Sequence, residues 1–206
     1  MNDHQKIDAT ASQKIDAAAL AQIFTEARTH NAYLDRPVSD ALLREAVDIA
    51  KIGPTSANQS PLRVLFLRSQ EAKERLRPTL MEGNLAKTMA APVVALTAYD
   101  TKFFEHASFL MPHFDVRPWF ESNETFANRV AFQNGSLQVA YLIIALRAVG
   151  LDTGPMTGFD NAKVDAEFFP DGRLISLFLI NIGYLDDSKG FPRLPRLEPA
   201  EIATFL

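Results

Sequence analysis

The order of apolar and polar positions along the chain predicts helices that alternate with strands. Apolar residues at helical spacing predict one helix over 15–28 and a second that Ser39 caps and that ends at Gly53-Pro54. A strand follows over 62–67, and a helix with a polar face covers 69–80 with an interruption near Pro78. The alternation indicates an α/β or α+β class in three layers, without an order for the strands.

Three further segments are apolar enough to need burial. The β-branched run 93–99 and the run 175–184 predict strands that are buried on both faces. A long helix is predicted over 126–149, with Gly150 as the residue that ends it. Its second half, 139–146, is apolar nearly all round, which requires either a central core position or a subunit interface.

Composition narrows the class of protein. The chain has 206 residues, no cysteine and a net charge of −4, with a pI of 5.6. The length favours a single domain that spans residues 14–206. The absence of cysteine excludes thiol chemistry and disulfides, and the acidic pI argues against non-specific binding of nucleic acids. Residues 1–13 are polar and suggest a mobile arm without a signal peptide, and the longest apolar runs are too short to span a membrane. A cytoplasmic location is expected.

The common catalytic motifs are missing. There is no GxGxxG, no GxxxxGK[ST] and no GxSxG, and the four histidines lack metal-ligand spacing, so no metal site is expected. What remains is a set of polar loops at the ends of buried elements, which are 28–31, 53–61, 154–159 and 193–196. Each one alone is also explained as a turn or a solvated arginine. Taken together, the four loops supply hydrogen-bond donors but no nucleophile, and this combination favours a binding site for a polar cofactor.

These loops carry a resemblance to a known family. The segments concerned are 24–31 (FTEARTHN), 53–58 (GPTSAN), 150–156 (GLDTGPM), 181–184 (NIGY) and 193–197 (RLPRL). In this order and spacing the chain resembles the FMN-dependent nitroreductase superfamily from about residue 18 to 206, and within it the malonic semialdehyde reductases of the Rut pyrimidine-degradation pathway. The resemblance implies a three-layer α+β fold, in which helices flank a mixed, mainly antiparallel sheet and a homodimer exchanges its C-terminal extensions.

The resemblance also implies cofactor-binding residues. Arg28 would bind the FMN phosphate together with Arg193 or Arg196. A guanidinium suits this role because it can donate two parallel hydrogen bonds to phosphate oxygens. His30 would lie near the ribityl chain, and Asn84 near the polar edge of the flavin. Asn58 corresponds to an asparagine that the family supplies from the partner subunit. The other expected contacts are Thr29, Asn31, Pro54, Thr55, Ser56 and the loop residues Pro155, Met156, Thr157 and Gly158 that pack on the isoalloxazine.

Two positions depart from the family pattern. Thr157 stands where many relatives have glutamate, and Ser60-Pro61-Leu62 replaces the common Gln-Pro-Trp. The departures leave flavin binding as the expectation and weaken the expectation of nitroaromatic specificity.

The implied reaction uses no catalytic side chain, because FMN carries the hydride on its N5 atom. NADPH or NADH would supply that hydride, and the aldehyde of 3-oxopropanoate would accept it, giving 3-hydroxypropanoate in uracil breakdown. Arg63 and Arg117 are candidate partners for the substrate carboxylate, or else members of surface ion pairs. The aromatic segment 103–120 is either a substrate-gating lid or a packing cluster.

Two alternatives to the aldehyde reductase stay open. One is a broader NAD(P)H reductase of nitroaromatics, quinones or enones. The other is an FMN-binding protein without useful turnover.

Overall fold

A four-stranded sheet lies at the centre of the computed structural model, which describes residues 13–186, 188 and 192–206. Its strands are antiparallel in the order β1-β2-β4-β3, and their bounds are β1 (Leu62–Leu67), β2 (Val93–Asp100), β3 (Asp152–Met156) and β4 (Leu174–Gly183). A parallel bridge between Thr29 and Thr153 extends the sheet beyond β3. The expected mixed, mainly antiparallel sheet is confirmed.

Helices cover both faces of this sheet. Their bounds are α1 (Ala17–Leu20), α2 (Asp40–Ala50), α3 (Gln70–Leu76), α4 (Glu82–Ala90), α5 (Ala107–Leu110), α6 (Arg117–Glu121), α7 (Glu124–Ala148), α8 (Asn161–Phe168) and α9 (Pro199–Ile202). The Ser39 hydroxyl accepts from the Leu42 N–H, as the predicted cap of α2 requires, and a 3₁₀ turn containing Pro78 follows α3. The predicted interruption there is confirmed.

The side chains of β2 alternate between two cores, which produces the three layers. Val93, Ala95 and Tyr99 belong to one buried cluster with residues of α2 and α7, whereas Val94 and Leu96 belong to the other with residues of α3 and α8. All eight residues of β2 are buried. A strand with both faces covered must be apolar at successive positions, and this explains the β-branched run of the sequence.

The long helix α7 is confirmed, but one chain does not bury it all round. Gly150 ends it with a φ of 82°, and the N–H of Leu151 donates to the carbonyl of Leu146 in the manner of a Schellman motif. Phe132 and Leu137 are 55% and 43% exposed, and Ala140 is also exposed. The sequence allowed either a central core position or a subunit interface for this helix. Its exposed apolar stripe fits a subunit interface better than a central core position.

Some elements differ from the sequence prediction. The helix expected over 15–28 is shorter, because α1 passes into a π-helical turn over Ala21–Thr25 and guanidinium groups bind the carbonyls of Ile23 and Thr25 in that turn. The expected loop 154–159 begins as strand β3. Pro155 is tolerated there because β3 lies at the edge of the four-stranded sheet. Helices α4 and α8, which are short and weakly patterned, had no counterpart in the prediction.

The C-terminal tail adds little to the packed body. Residues 1–12 of the predicted arm lie outside the described residues, so the division into an arm and a domain stays a prediction. Residues 192–206 are exposed in a single chain, and the exchange of this tail also stays a prediction. Within the described ranges, no helix is both long and apolar enough to cross a bilayer.

Candidate flavin site

The 28–31 loop is fixed to the edge of the sheet by backbone contacts. The N–H of His30 donates to the carbonyl of Thr153 over 3.2 Å. A Cβ on Gly154 would lie 2.5 Å from the His30 carbonyl oxygen and 2.7 Å from the Tyr33 hydroxyl. Only glycine leaves room for this approach. The predicted Arg28, Thr29, His30 and Asn31 therefore lie beside β3, which carries the predicted Pro155 and Met156.

A partly buried tyrosine and a contact between a histidine and a carboxylate support the same loop. The Tyr33 hydroxyl lies 3.1 Å from the His30 carbonyl and 3.2 Å from the Asn181 carbonyl. Burial, and then the charge of Asp152, raise the pKa of Tyr33, so that this hydroxyl stays protonated and can donate. Nε2 of the buried His30 is 3.5 Å from Oδ1 of Asp152, whose Oδ2 accepts from the N–H of Leu185. His30 therefore has a defined position beside a carboxylate.

The two tail arginines have different surroundings. Nη2 of Arg193 donates to the carbonyls of Thr25 and Ala27 over 2.6 and 2.8 Å, directly before Arg28. Arg196 instead bonds to the carbonyls of its own tail, those of Leu194 and Pro195. In a single chain the structure thus brings Arg193, and not Arg196, to the segment that carries Arg28.

Asn84 and Gly158 meet across two elements. Nδ2 of Asn84 donates to the Gly158 carbonyl over 2.8 Å, and the N–H of Met81 donates to the same oxygen. A Cβ on Gly158 would lie 2.3 Å from Asn84 Nδ2, so the contact depends on glycine. The neighbouring Thr157 is exposed. Two predicted groups far apart in sequence therefore share one corner of the fold, next to β3.

The 54–60 loop is held by α7. Oδ1 of Asn134 accepts from the Ser56 N–H over 2.8 Å, and its Nδ2 lies 3.3 Å from the Ser56 hydroxyl. Ala57, Asn58 and Ser60 have φ values of 49°, 56° and 43°, in the left-handed region that non-glycine residues rarely adopt. Strained backbone of this kind is concentrated at functional sites. Thr55 accepts from the Ser60 N–H, and Pro54 is exposed.

The aromatic segment 103–120 has a buried base and exposed tips. Phe103 and Phe120 are buried with their ring centroids 4.9 Å apart, whereas Phe109 is 81% exposed. Nδ2 of Asn58 donates to the Leu110 carbonyl over 2.8 Å and so joins this segment to the 54–60 loop. The base forms the packing cluster that was the second alternative for this segment, and a gating role for the tips stays a prediction.

The predicted residues form two groups within one chain. Asn134, which holds the 54–60 loop, and Arg147, which contacts the segment before Arg28, both lie on α7. At 1.5 Å per residue their backbones are about 20 Å apart along the helix. The residues beside β3 form one group, and the 54–60 loop belongs to the other.

Both candidate substrate arginines have acidic partners. Arg63 donates to the buried Asp100 over 2.9 Å and to two backbone carbonyls, and Arg173 binds the same carboxylate. Arg117 pairs with Glu121 one turn later on the exposed side of α6. Their role toward a substrate carboxylate stays a prediction, and each would have to exchange an existing partner.

Sequence reasoning missed three polar side chains of α7. Asn134 holds Ser56, Gln138 accepts from the Leu62 N–H over 3.0 Å, and Arg147 donates to the Ile23 carbonyl over 3.1 Å. The available signal was the presence of amides and an arginine in an otherwise apolar helix, since buried polar groups require partners.

The donor set fits FMN. Nη1 of Arg28 is buried and has no hydrogen-bond partner among the described residues, and a guanidinium can only donate. An anionic oxygen is the partner that such a group lacks, and the flavin phosphate supplies one. The Asn84–Gly158 contact adds backbone and amide groups next to β3, where a polar ring edge would find hydrogen bonds.

The family model named Nitroreductase family matches residues 24–184, which is most of the chain. The chain belongs to the nitroreductase family. A protein of Burkholderia lata with the provisional name NADH dehydrogenase/NAD(P)H nitroreductase is 56% identical over 186 residues, covering 90% of this chain and 95% of its own.

Solved structures of nitroreductases agree in fold. A nitroreductase-type protein of Exiguobacterium sibiricum, solved with FMN, has a TM-score of 0.79 at 20% identity and covers 96% of this chain and all of its own. An enone reductase of gut-bacterial fatty acid saturation has the same TM-score at 18% identity, over 91% and 97% of the two chains. The nitroreductase fold and the expected FMN and NAD(P)H chemistry of the family are thereby confirmed.

Proposed function

We propose that this protein is an FMN-dependent NAD(P)H oxidoreductase that reduces malonic semialdehyde to 3-hydroxypropanoate. The observation that supports flavin binding is the buried, unpartnered Nη1 of Arg28, a residue that directly follows the backbone bound by Arg193. The choice of acceptor rests on the subgroup motifs, in particular 24–31, 53–58 and 193–197.

The proposed division of labour leaves the redox chemistry to the cofactor. When bound, FMN supplies hydride transfer from NAD(P)H to the acceptor, so the protein needs only to bind and orient the cofactor and the substrates. Arg28 and Arg193 would hold the phosphate, His30 would contact the ribityl chain, and Asn84 with Gly158 would bind the polar edge of the ring. Gly154 allows the 28–31 loop and β3 to approach each other closely enough for one ligand to contact both.

A second candidate acceptor is a quinone, a nitro compound or an enone. Phe109, Phe114 and Trp119 are at least half exposed, and the Asn58–Leu110 hydrogen bond joins their segment to the 54–60 loop. Exposed aromatic rings near a cofactor suit a flat apolar acceptor better than a small carboxylate. The enone reductase among the structural neighbours uses the same fold.

Absorption spectra and NAD(P)H consumption test the proposal. Flavin bands that bleach with anaerobic NAD(P)H establish the cofactor, and a protein that stays colourless with excess FMN contradicts it. Turnover is then compared for 3-oxopropanoate, a quinone and a nitrofuran at equal concentration. Faster turnover of the quinone or nitrofuran favours the second candidate, whereas bleaching without any turnover indicates flavin binding alone.

Alanine variants test the candidate substrate arginines. R63A or R117A should raise the KM for 3-oxopropanoate more than that for a neutral aldehyde, since only the former has a carboxylate to bind. Equal changes for both aldehydes would remove these residues from the substrate site.

We also propose that two chains complete each flavin site. The two groups of site residues are about 20 Å apart along α7, a helix that runs between them with an exposed apolar stripe. A two-fold dimer packed on this stripe would bring the 54–60 loop of one chain to the 28–31 loop of the other.

Mixing two inactive variants tests this arrangement. R28A and N58A should each bind FMN poorly, whereas their random mixture should regain about a quarter of the wild-type sites, because one site of each mixed dimer carries neither change. No recovery after confirmed subunit exchange would place both residues in a site formed by a single chain.

The tail has a candidate docking groove on the partner. Between α2 and β1 lies a groove of about 790 Å³ with an apolar floor that includes Leu43, Val47 and Phe66. The outer edge of β1 has no strand partner among the described residues, and tail residues Ile202 and Phe205 are 71% and 97% exposed. I202D should therefore weaken the dimer in sedimentation, whereas A162D, which adds the same charge at an exposed position of α8, should not. An unchanged dimer would contradict tail exchange.

A further inference from the structure

Three arginines converge on the end of the first helical segment, and we name them the arginine cluster: Arg28, Arg147 and Arg193. Arg147 comes from α7 and donates through Nη1 to the carbonyl of Ile23 over 3.1 Å. Arg193 comes from the tail and binds the carbonyls of Thr25 and Ala27. The cluster thus joins segments more than a hundred positions apart in the sequence.

No member of the cluster has a carboxylate in ion-pair contact among the residues that the structure describes. Six other arginines do have one, namely Arg63, Arg68, Arg75, Arg77, Arg117 and Arg173. The nearby Asp152 is engaged with Nε2 of His30 and the N–H of Leu185. Arg147 and Arg193 are close enough to interact electrostatically, and Arg28 directly follows the backbone that Arg193 binds, so positive charge accumulates here with Asp152 as the nearby opposing charge.

Two guanidinium donors of the cluster are also unsatisfied. Nη1 of Arg28 and Nε of Arg147 are both buried without a hydrogen-bond partner. Burial lowers the pKa of Arg147; the charge of Asp152 opposes this effect, and the charge of Arg193 adds a smaller lowering. The site therefore bears the cost of bringing cations together and of leaving donors unpaired, and a bound dianion would relieve both.

We infer that Arg147 is a third cationic residue of the flavin phosphate site, which steadies the segment before Arg28 and adds its charge to that of Arg28 and Arg193. The inference rests on the proposed FMN function. Its chemical content is specific: Arg147 favours a flavin that carries a phosphate dianion over one that does not. A residue that only stabilised the fold would affect both flavins alike.

Binding of FMN and of riboflavin to purified apoprotein, followed by flavin fluorescence, tests the inference. R147Q removes the charge and keeps a donor for the Ile23 carbonyl, whereas R147K keeps the charge. We expect R147Q to weaken FMN binding at least about tenfold with riboflavin changed less than about twofold, and R147K to retain most of the preference for FMN. R129M is the matched control, because Arg129 lies on the exposed side of the same helix, 5.5 Å from the Phe126 ring centroid.

Other results would overturn the inference. Equal weakening of FMN and riboflavin in R147Q indicates a purely structural role, and no change in either excludes a contribution to binding. Circular dichroism confirms folding, and R147M replaces R147Q if that variant does not fold. The wild type is measured first: if it binds neither flavin, the proposed cofactor fails together with this inference, whereas a wild type that binds FMN isolates the question of Arg147.

Discussion

Single glycines set how closely the elements of this site approach. Gly158 has its carbonyl bound by Asn84 Nδ2 and has no space for a side chain, because a Cβ would lie 2.3 Å from that nitrogen. Gly83 directly precedes Asn84, yet a Cβ there would meet nothing within 4 Å. Two glycines near the same asparagine therefore have opposite tolerance for a methyl group.

We expect G158A to destabilise the protein by roughly 1–3 kcal/mol, because the added methyl forces Asn84 away from β3. It should also weaken FMN binding. G83A should be neutral or stabilising by up to about 1 kcal/mol, since alanine favours a helix. Urea unfolding and FMN titration of both variants measure these effects, and equal stability of the two would contradict the close contact.

Helix α7 is the element that organises the site. Its middle holds the 54–60 loop through Asn134, and its end reaches the 28–31 side through Arg147. It also meets the end of α2, where a Cβ on Gly53 would lie 2.5 Å from the Tyr141 ring. One helix thus fixes the positions of several loops that have no strong structure of their own.

N134L should destabilise the protein by roughly 1–3 kcal/mol, because the N–H of Ser56 loses its acceptor in a partly buried position. Hydrogen exchange in residues 54–60 should accelerate as well. Q133A, at the exposed neighbouring position, serves as the control. A loop whose exchange is unchanged in N134L would show that Asn134 does not hold it.

The contact between Gly53 and Tyr141 predicts a coupling between two substitutions. G53A should be destabilising because the new methyl overlaps the ring, and this effect should be smaller when Tyr141 is replaced by alanine. A double-mutant cycle measured by denaturant unfolding should give a coupling of about 0.5–3 kcal/mol. Additive effects would mean that the ring moves aside without cost.

The whole molecule joins two cores, one on each face of a single sheet, and places its site at the sheet edge next to the arginine cluster. The unpaired donors of the cluster lower the stability of the protein without a ligand. Flavin binding to the native state alone must raise its stability by mass action.

FMN at one hundred times its dissociation constant should therefore stabilise the protein by about 2.7 kcal/mol. For a chain of this size that corresponds to a rise in Tm of roughly 5–11 °C. At the same FMN concentration R28A should show a smaller rise, whereas R129A should keep the wild-type rise. Calorimetric scans measure this, and an R28A shift equal to that of the wild type would remove Arg28 from the phosphate site.

Local pattern was sufficient for most elements of the fold. The strands at 62–67, 93–99 and 175–184, the cap at Ser39 and the end of α7 at Gly150 all follow from periodicity or from the conformational preference of one residue. These signals depend on residues that are close together in the sequence, so they do not depend on how distant segments pack. The loops proposed for the flavin site also stand out in the sequence, because polar residues interrupt apolar runs there.

Contacts between distant segments decided the rest. Pro155 lies in a strand because β3 is at an edge, which no local signal reveals. Arg63 is bound to Asp100, and Arg147 binds the carbonyl of Ile23, which lies 124 positions away in the sequence. Tertiary packing therefore determines which arginines already have a protein partner and which have donors left for an anion. The amino-acid pattern specifies which segments must be buried and where the chain turns, whereas only the folded chain determines which charges find partners and which stay unpaired.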